Sequence, residues 1–109
     1  MTDCLFCKIA NHTIPVKTIY EDDLTLIFPD INPQAPTHLL VIPKRHFTDA
    51  TQAPAELLGH ILKAAANLGE RDLPQGFRLV ANTGEDGGQT VAHLHFHLLG
   101  GRPMHWPPG

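Results

Sequence analysis

The sequence predicts an α+β domain, an antiparallel sheet of about five strands carrying one main helix, with a short helix at the N-terminus. Three observations predict it. Apolar runs of strand length recur along the chain, separated by turn residues. A single stretch, residues 54–69, has both the length and the 3.6-residue apolar period of a substantial helix. Ten prolines and nine glycines in 109 residues mark many tight turns, and tight turns favour antiparallel pairing. The length predicts one domain over residues 1–109, with a core that removes about 60–68% of the unfolded surface from water.

The elements follow in order. Residues 4–10 (CLFCKIA) suit one short helical turn. Residues 24–28 (LTLIF) read as an apolar strand closed by Pro29 and Asp30. Asn32 to Pro36 form a turn, and residues 38–42 (HLLVI) a buried strand that Pro43 ends. In 54–69, Pro54 fits the first helical turn, and Leu57, Leu58, Ile61, Leu62, Ala65 and Leu68 share a face. Gly69 reads as a C-cap. Residues 77–81 (FRLVA) form another strand, Asn82 to Thr90 a loop, and residues 93–99 (HLHFHLL) the last strand. The tail RPMHWPPG is proline-bound and extended.

Composition excludes several classes. The net charge of −3 offers no basic stripe for nucleic acid and little attraction to a membrane surface. An apolar content of 42% argues against disorder. No window holds 18 apolar residues, and the start MTDCLFCKIA lacks the pattern of a signal peptide. Two cysteines, close together, do not make a disulfide framework. A reducing cytoplasm is expected, with neither nucleic acid nor membrane as partner.

Eight histidines are dense for this length, and three of them alternate with Leu94, Phe96 and Leu98. In a strand of period two, His93, His95 and His97 share one face. Two readings stand. Three imidazoles can bind zinc, although a strand sets them in a row more easily than in a tetrahedron. They can also serve as nucleophile and general acid or base, since neutral imidazole attacks phosphorus and imidazolium gives up a proton. The preceding loop carries Gly84, Gly87 and Gly88, whose backbone can curl amides around an anion, with Gln89 and Thr90 as side-chain donors. Alone this would equally make a hairpin loop. Beside three histidines it is a candidate phosphoryl cradle, with Glu85 and Asp86 turned outward.

The segment GGQTVAHLHFHLLGGRPMHWPPG resembles the histidine triad (HIT) family, whose signature is three histidines separated by apolar residues. The resemblance extends through FPDINPQAPTHLLVIPKRH and RLVANTGEDGG to essentially the whole chain. The loop GGQT and the tail HWPPG are similar to its nucleoside phosphoramidase branch. The resemblance implies a HIT-like fold, a homodimer and a purine nucleotide substrate. The implied reaction is hydrolysis of nucleoside phosphoramidates and aminoacyl adenylates. It implies that His95 is the nucleophile, that His38 orients and polarises it, that His93 supports the site, and that His97 contacts the α-phosphate. Thr90 and Gln89 stand by the phosphate, as does Asn82; Asp30 holds the ribose hydroxyls; Phe6, Ile9, Phe28 and Ile31 wall the base. The tail with His105 and Trp106 is expected to reach the site or the partner subunit. Other functions in view are a nucleotide-binding regulatory protein with incidental turnover, a small zinc-binding interaction module and a dinucleoside polyphosphate hydrolase.

Cys4 and Cys7 have the spacing of half a zinc site. The resemblance completes the set with His46 and His93, giving a structural zinc that the chemistry itself does not require. The other reading is two small buried residues. His12 and His60 are read as a surface and a helix-packing histidine.

Overall fold

A computed structural model describes residues 3–109. The element order is α1 (Leu5–Ala10), β1 (Tyr20–Glu21), β2 (Thr25–Pro29), β3 (Thr37–Pro43), α2 (Ala55–Asp72), β4 (Phe77–Val80) and β5 (Phe96–Gly100). The five strands form one sheet in the order β1-β2-β3-β5-β4, with every pair antiparallel. The α+β class, the five-stranded sheet, the main helix and the short first helix are as the sequence predicts.

The sheet is buried on both faces, which is why β2 and β3 read as nearly continuous apolar runs. Ile27, Val41 and Leu98 pack against Ile61, Ala65 and Leu68 of α2. Leu26, Phe28, Leu40 and Ile42 point the other way, against Phe6, Ile9 and Ala10 of α1. Full burial of each such side chain is worth about 1.5–3 kcal/mol. Two helix turns at the N-terminus could not persist alone. Here Cys4 caps α1, its Sγ accepting the Cys7 N–H at 3.3 Å, and the apolar face of α1 is held by the sheet.

Four details differ from the sequence reading. Pro54 is the N-cap of α2 and lies one residue outside it. Gly69 does not cap the helix, which runs on to Asp72; it lies inside, where an added Cβ would sit 2.6 Å from the Phe77 ring. The glycine is there so that β4 can approach. Strand β1 has two residues, too few to leave a periodic signal. The last strand begins at Phe96, not His93. Val41 pairs with Phe96, and two residues further along β3 is Pro43, which has no N–H to extend the ladder. Leu94 instead donates its N–H to the Phe47 carbonyl at 2.7 Å.

Candidate active site and metal centre

The three alternating histidines do not act as one row. His93 turns toward α1, and His95 and His97 toward an apolar cavity. The reading in which all three imidazoles bind one zinc is corrected: only His93 joins a metal-binding cluster, and His95 and His97 line the cavity.

At the first place, Cys4 Sγ, Cys7 Sγ, His46 Nδ1 and His93 Nδ1 all lie within 4.8 Å of one another. The His46 and His93 nitrogens are 3.2 Å apart, and Cys4 Sγ is 3.3 Å from His93 Nδ1. Cys7 Sγ is 3.3 Å from His46 Nδ1 and 3.6 Å from His93 Nδ1. A tetrahedron built on zinc–sulfur and zinc–nitrogen bonds has edges of about 3.3–3.8 Å, so the four atoms fit the corners of such a shell. The second nitrogen of His93 settles its tautomer. Nε2–H donates to the Pro43 carbonyl at 2.9 Å, leaving a lone pair on Nδ1 for a metal. Burial is the main force holding His93 below the ordinary imidazole range, with His46 and His95 acting in the same direction and the Pro43 bond opposing. Burial and the neighbouring Cys4 push the Cys7 thiol upward, favouring the neutral thiol, and a bound cation would pull it back down. The cluster can coordinate a metal ion, and such an ion would tie α1 to the loop after β3 and to the histidine segment.

At the second place, a cavity of about 270 Å³ opens between α1, β2 and β5. Phe6, Ile9 and Phe28 form its apolar wall, as the resemblance implies, joined by Leu5, Val16 and Leu40, which sequence reasoning did not single out. Alternation along β3 would have pointed to Leu40, since it shares a face with His38. Ile31 borders the cavity but is fully exposed. Asp30, Thr90, His95 and His97 supply the polar rim. Phe6 stands between the two sites, its ring edge-on to His95 at 5.2 Å and to His93 at 5.8 Å. A hollow of about 510 Å³ lies at Asp72–Gly76 and Gly101–Pro103, but its lining holds no histidine and no cysteine.

Backbone groups fix the rings at this second place. His95 Nδ1–H donates to the His93 carbonyl at 2.7 Å, so Nε2 carries the lone pair. The Gln34 N–H donates to His38 Nδ1 at 3.0 Å, and His38 Nε2–H in turn donates to His97 Nδ1 at 2.9 Å. Asp30 Oδ2 lies 3.4 Å from His38 Nε2. Here the expectation that His38 orients the ring of His95 is corrected. On β3 and β5, Leu40 pairs with His97, which sets His38 diagonally beside His97 and leaves His95 to a main-chain acceptor. Burial, followed by His95 and His38, holds His97 below the ordinary imidazole range, with Asp30 opposing.

The cradle reading of the glycine loop is corrected as well. Gly84 N–H donates to Gln89 Oε1, Gln89 N–H to the Gly84 carbonyl, and Gly88 N–H to the Glu85 carbonyl, each at 3.0 Å. Gln89 Nε2 donates to the carbonyls of Thr48 and Val91. These amides and the Gln89 side chain are engaged within the protein, so Gln89 positions the loop. Asn82 is half-buried and outside the cavity lining, while Glu85 and Asp86 face solvent.

The remaining histidines lie away from both places. His12 pairs with Glu21 at 2.8 Å and His60 with Asp22 at 2.9 Å. In the tail, Trp106 is 83% exposed, and the His105 carbonyl accepts from Arg78. Among the described residues no helix is long and apolar enough to cross a membrane.

Three histidines from one segment, a fourth from the adjoining strand and an apolar cavity before them define a histidine triad protein. The chain matches the HIT domain family over residues 11–104 and belongs to that family. It is 51% identical to an uncharacterized HIT-like protein of Synechococcus elongatus, over 98% of this chain and 97% of the relative. A HIT family hydrolase from Legionella pneumophila superposes with a TM-score of 0.93 at 50% identity, covering 98% of this chain and all of that one. A histidine triad nucleotide-binding protein from Candida albicans superposes at 0.82 with 35% identity, over 88% and 73% of the two chains. The histidine-rich cluster is the arrangement of HIT-family hydrolases.

Proposed function

We propose that the protein hydrolyses purine nucleoside phosphoramidates and aminoacyl adenylates to nucleoside monophosphate through a nucleotidyl-His95 intermediate. One observation carries this reading: the His95 Nδ1–H bond to the His93 carbonyl leaves Nε2 as an unprotonated nucleophile in a ring that lines an apolar cavity. The nucleotide-binding relative supports the substrate class.

In this mechanism the base lies against Phe6, Ile9 and Phe28, and the Asp30 carboxylate accepts from the ribose hydroxyls. His95 Nε2 attacks the α-phosphorus and the bond to the leaving group breaks: phosphorus–nitrogen in a phosphoramidate, phosphorus–oxygen to the acyl carboxylate in an aminoacyl adenylate. The amine leaves with a proton taken from solvent, because an amide anion is far too basic, whereas the carboxylate leaves as the anion. The Thr90 hydroxyl and His97 stabilise charge on the non-bridging oxygens. Water then attacks the phosphorus–His95 bond, returning the ring and releasing the monophosphate. The metal cluster takes no part in these steps; a structural zinc held by Cys4, Cys7, His46 and His93 would fix the His93 main chain against which His95 is oriented. The reading includes a homodimer, supported by the half-buried strand β4 at the sheet edge and by the exposed Leu62 on α2. It also includes a cytoplasmic location, supported by the two free thiols.

The deciding experiment compares turnover of adenosine 5′-phosphoramidate and of a diadenosine polyphosphate by one preparation. Faster cleavage of the phosphoramidate supports the proposal. Faster cleavage of the polyphosphate moves the protein to a polyphosphate hydrolase. Nucleotide binding without turnover of either makes it a regulatory binder.

A further inference from the structure

The turn before β3 and the start of the C-terminal tail meet at a point outside the cavity. Arg102 donates from one guanidinium nitrogen to the Gln34 carbonyl at 3.1 Å and from the other to the Pro103 carbonyl at 3.0 Å. Beside it Gly101 adopts φ +88°, and an added Cβ there would sit 2.8 Å from Pro36 Cβ. A left-handed glycine is thus what lets the tail lie against the turn. The turn is held from within by Gln34 Nε2–H donating to the Asn32 carbonyl at 3.0 Å. Neither Gln34 nor Arg102 lines the cavity.

The Gln34 main chain reaches the chemistry through two rings. Its N–H can donate to His38 Nδ1 only if that nitrogen is unprotonated, which places the His38 proton on Nε2. That proton is given to His97 Nδ1, so the neutral His97 ring carries its own proton on Nε2. Nε2 is then the ring's single donor, and no protein acceptor engages it among the described residues. Were His38 the other tautomer, His97 Nδ1–H would donate to His38 Nε2 and His97 would present a lone pair on Nε2, which would repel an anionic oxygen there.

We infer that Gln34 and Arg102 are positioning residues, a clamp whose product is a His97 ring with its proton on Nε2, ready to donate to a phosphate oxygen. The inference rests on the proposed reaction for its consequence, though not for its geometry. The clamp is set where the C-terminal segment leaves β5, so the tail's departure and the protonation pattern of the site are mechanically linked.

The test uses the metal-loaded full-length protein labelled with ¹⁵N-histidine, with long-range proton–nitrogen correlation spectra at neutral pH. In the wild type the expected tautomers are Nε2–H for His38 and His97. His97 found as the Nδ1–H tautomer overturns the inference. In Arg102→Ala, His97 is expected to show mixed tautomers. Its kcat toward adenosine phosphoramidate is expected to fall about three- to tenfold, the rate equivalent of one ordinary hydrogen bond, with KM and monophosphate affinity within about twofold. Arg102→Lys, which keeps one donor, is expected to recover part of the loss. Gln34→Pro removes the donor itself and is expected to exceed Arg102→Ala in both readouts; should it fail to fold, the wild-type spectrum and the Arg102 pair still decide. An unchanged spectrum and kcat in Arg102→Ala, or a raised KM with unchanged kcat, overturns the clamp. If the wild type cleaves no phosphoramidate yet shows the stated tautomers and their mixing in Arg102→Ala, the reaction is wrong and the clamp stands.

Discussion

The imidazole of His95 donates Nδ1–H to the main-chain carbonyl of His93, two residues earlier, at 2.7 Å. The same His93 directs its side chain to the Cys4, Cys7 and His46 cluster. One residue thus faces two sites, with its ring in one and its carbonyl in the other. The cluster and the cavity ring are joined by a single peptide unit.

In the proposed reaction, replacing His95 removes the nucleophile and leaves Phe6, Ile9 and Phe28 in place to hold the base. His95→Ala is expected to lower kcat/KM for a phosphoramidate by at least ~10³-fold, about 4 kcal/mol of transition-state stabilisation, while monophosphate binding persists. Rapid-quench labelling with α-phosphorus-labelled substrate and peptide mapping checks it. Label on His93 or His97, or near-normal turnover in the variant, refutes the assignment.

Metal analysis of protein purified without chelator is expected to find about one zinc per subunit. Cys4→Ser removes one corner of the cluster while keeping a side-chain acceptor for the cap of α1, so it should lower Tm more than it lowers turnover. Protein that carries no metal and melts unchanged after chelation would leave the two cysteines as packing residues.

Asp30→Ala is expected to weaken nucleoside monophosphate binding while the fold survives, since the side chain lies at the cavity rim. The 2′-deoxy ligand should bind the wild type less well than the ribonucleotide. Calorimetric titration of both ligands tests this, and equal affinities exclude ribose recognition by Asp30.

Burial pushes Asp22 upward, but hydrogen bonds from Tyr20, the Leu24 N–H and His60 outweigh it and bring the carboxyl from 3.8 to about 2. A depressed carboxyl stabilises the fold above its ordinary value and loses that contribution as pH falls from about 4 to about 2. His97 is depressed by burial and by neighbouring imidazoles, so the unfolded chain takes up its proton first, and stability declines as pH drops below about 6.5. Thermal melts from pH 8 to pH 2 should fall in two stages. Asp22→Asn should flatten the second, and an unaltered acid limb in that variant would remove Asp22 from the account.

Light scattering at micromolar concentration should give twice the chain mass. Strand β4 lies at one edge of the sheet with all four residues half-buried, and an uncovered edge of that kind invites pairing. A monomer mass would show that the edge is tolerated in water.

The sequence by itself determined the class of fold and the parts of the molecule that local patterning controls. Strands β2 and β3 are compact apolar runs bounded by proline, and α2 has a clear period of 3.6, so short-range chemistry marks them. It also determined that His93, His95 and His97 alternate with core residues, and that Cys4 and Cys7 lie one helical turn apart. The tertiary structure decided where each ring goes. Pro43 cannot extend the ladder, so the segment leaves the sheet before Phe96, and His93 is released toward the cysteines. Register across β3 and β5 set His38 against His97 rather than His95. Gln89 became a loop tie because carbonyls 41 and 2 residues away came within reach of its amide. Residue 69 is glycine inside the helix because the Phe77 ring packs where its Cβ would be. Each of these depends on which residues meet across the chain, and a local pattern carries no record of that meeting.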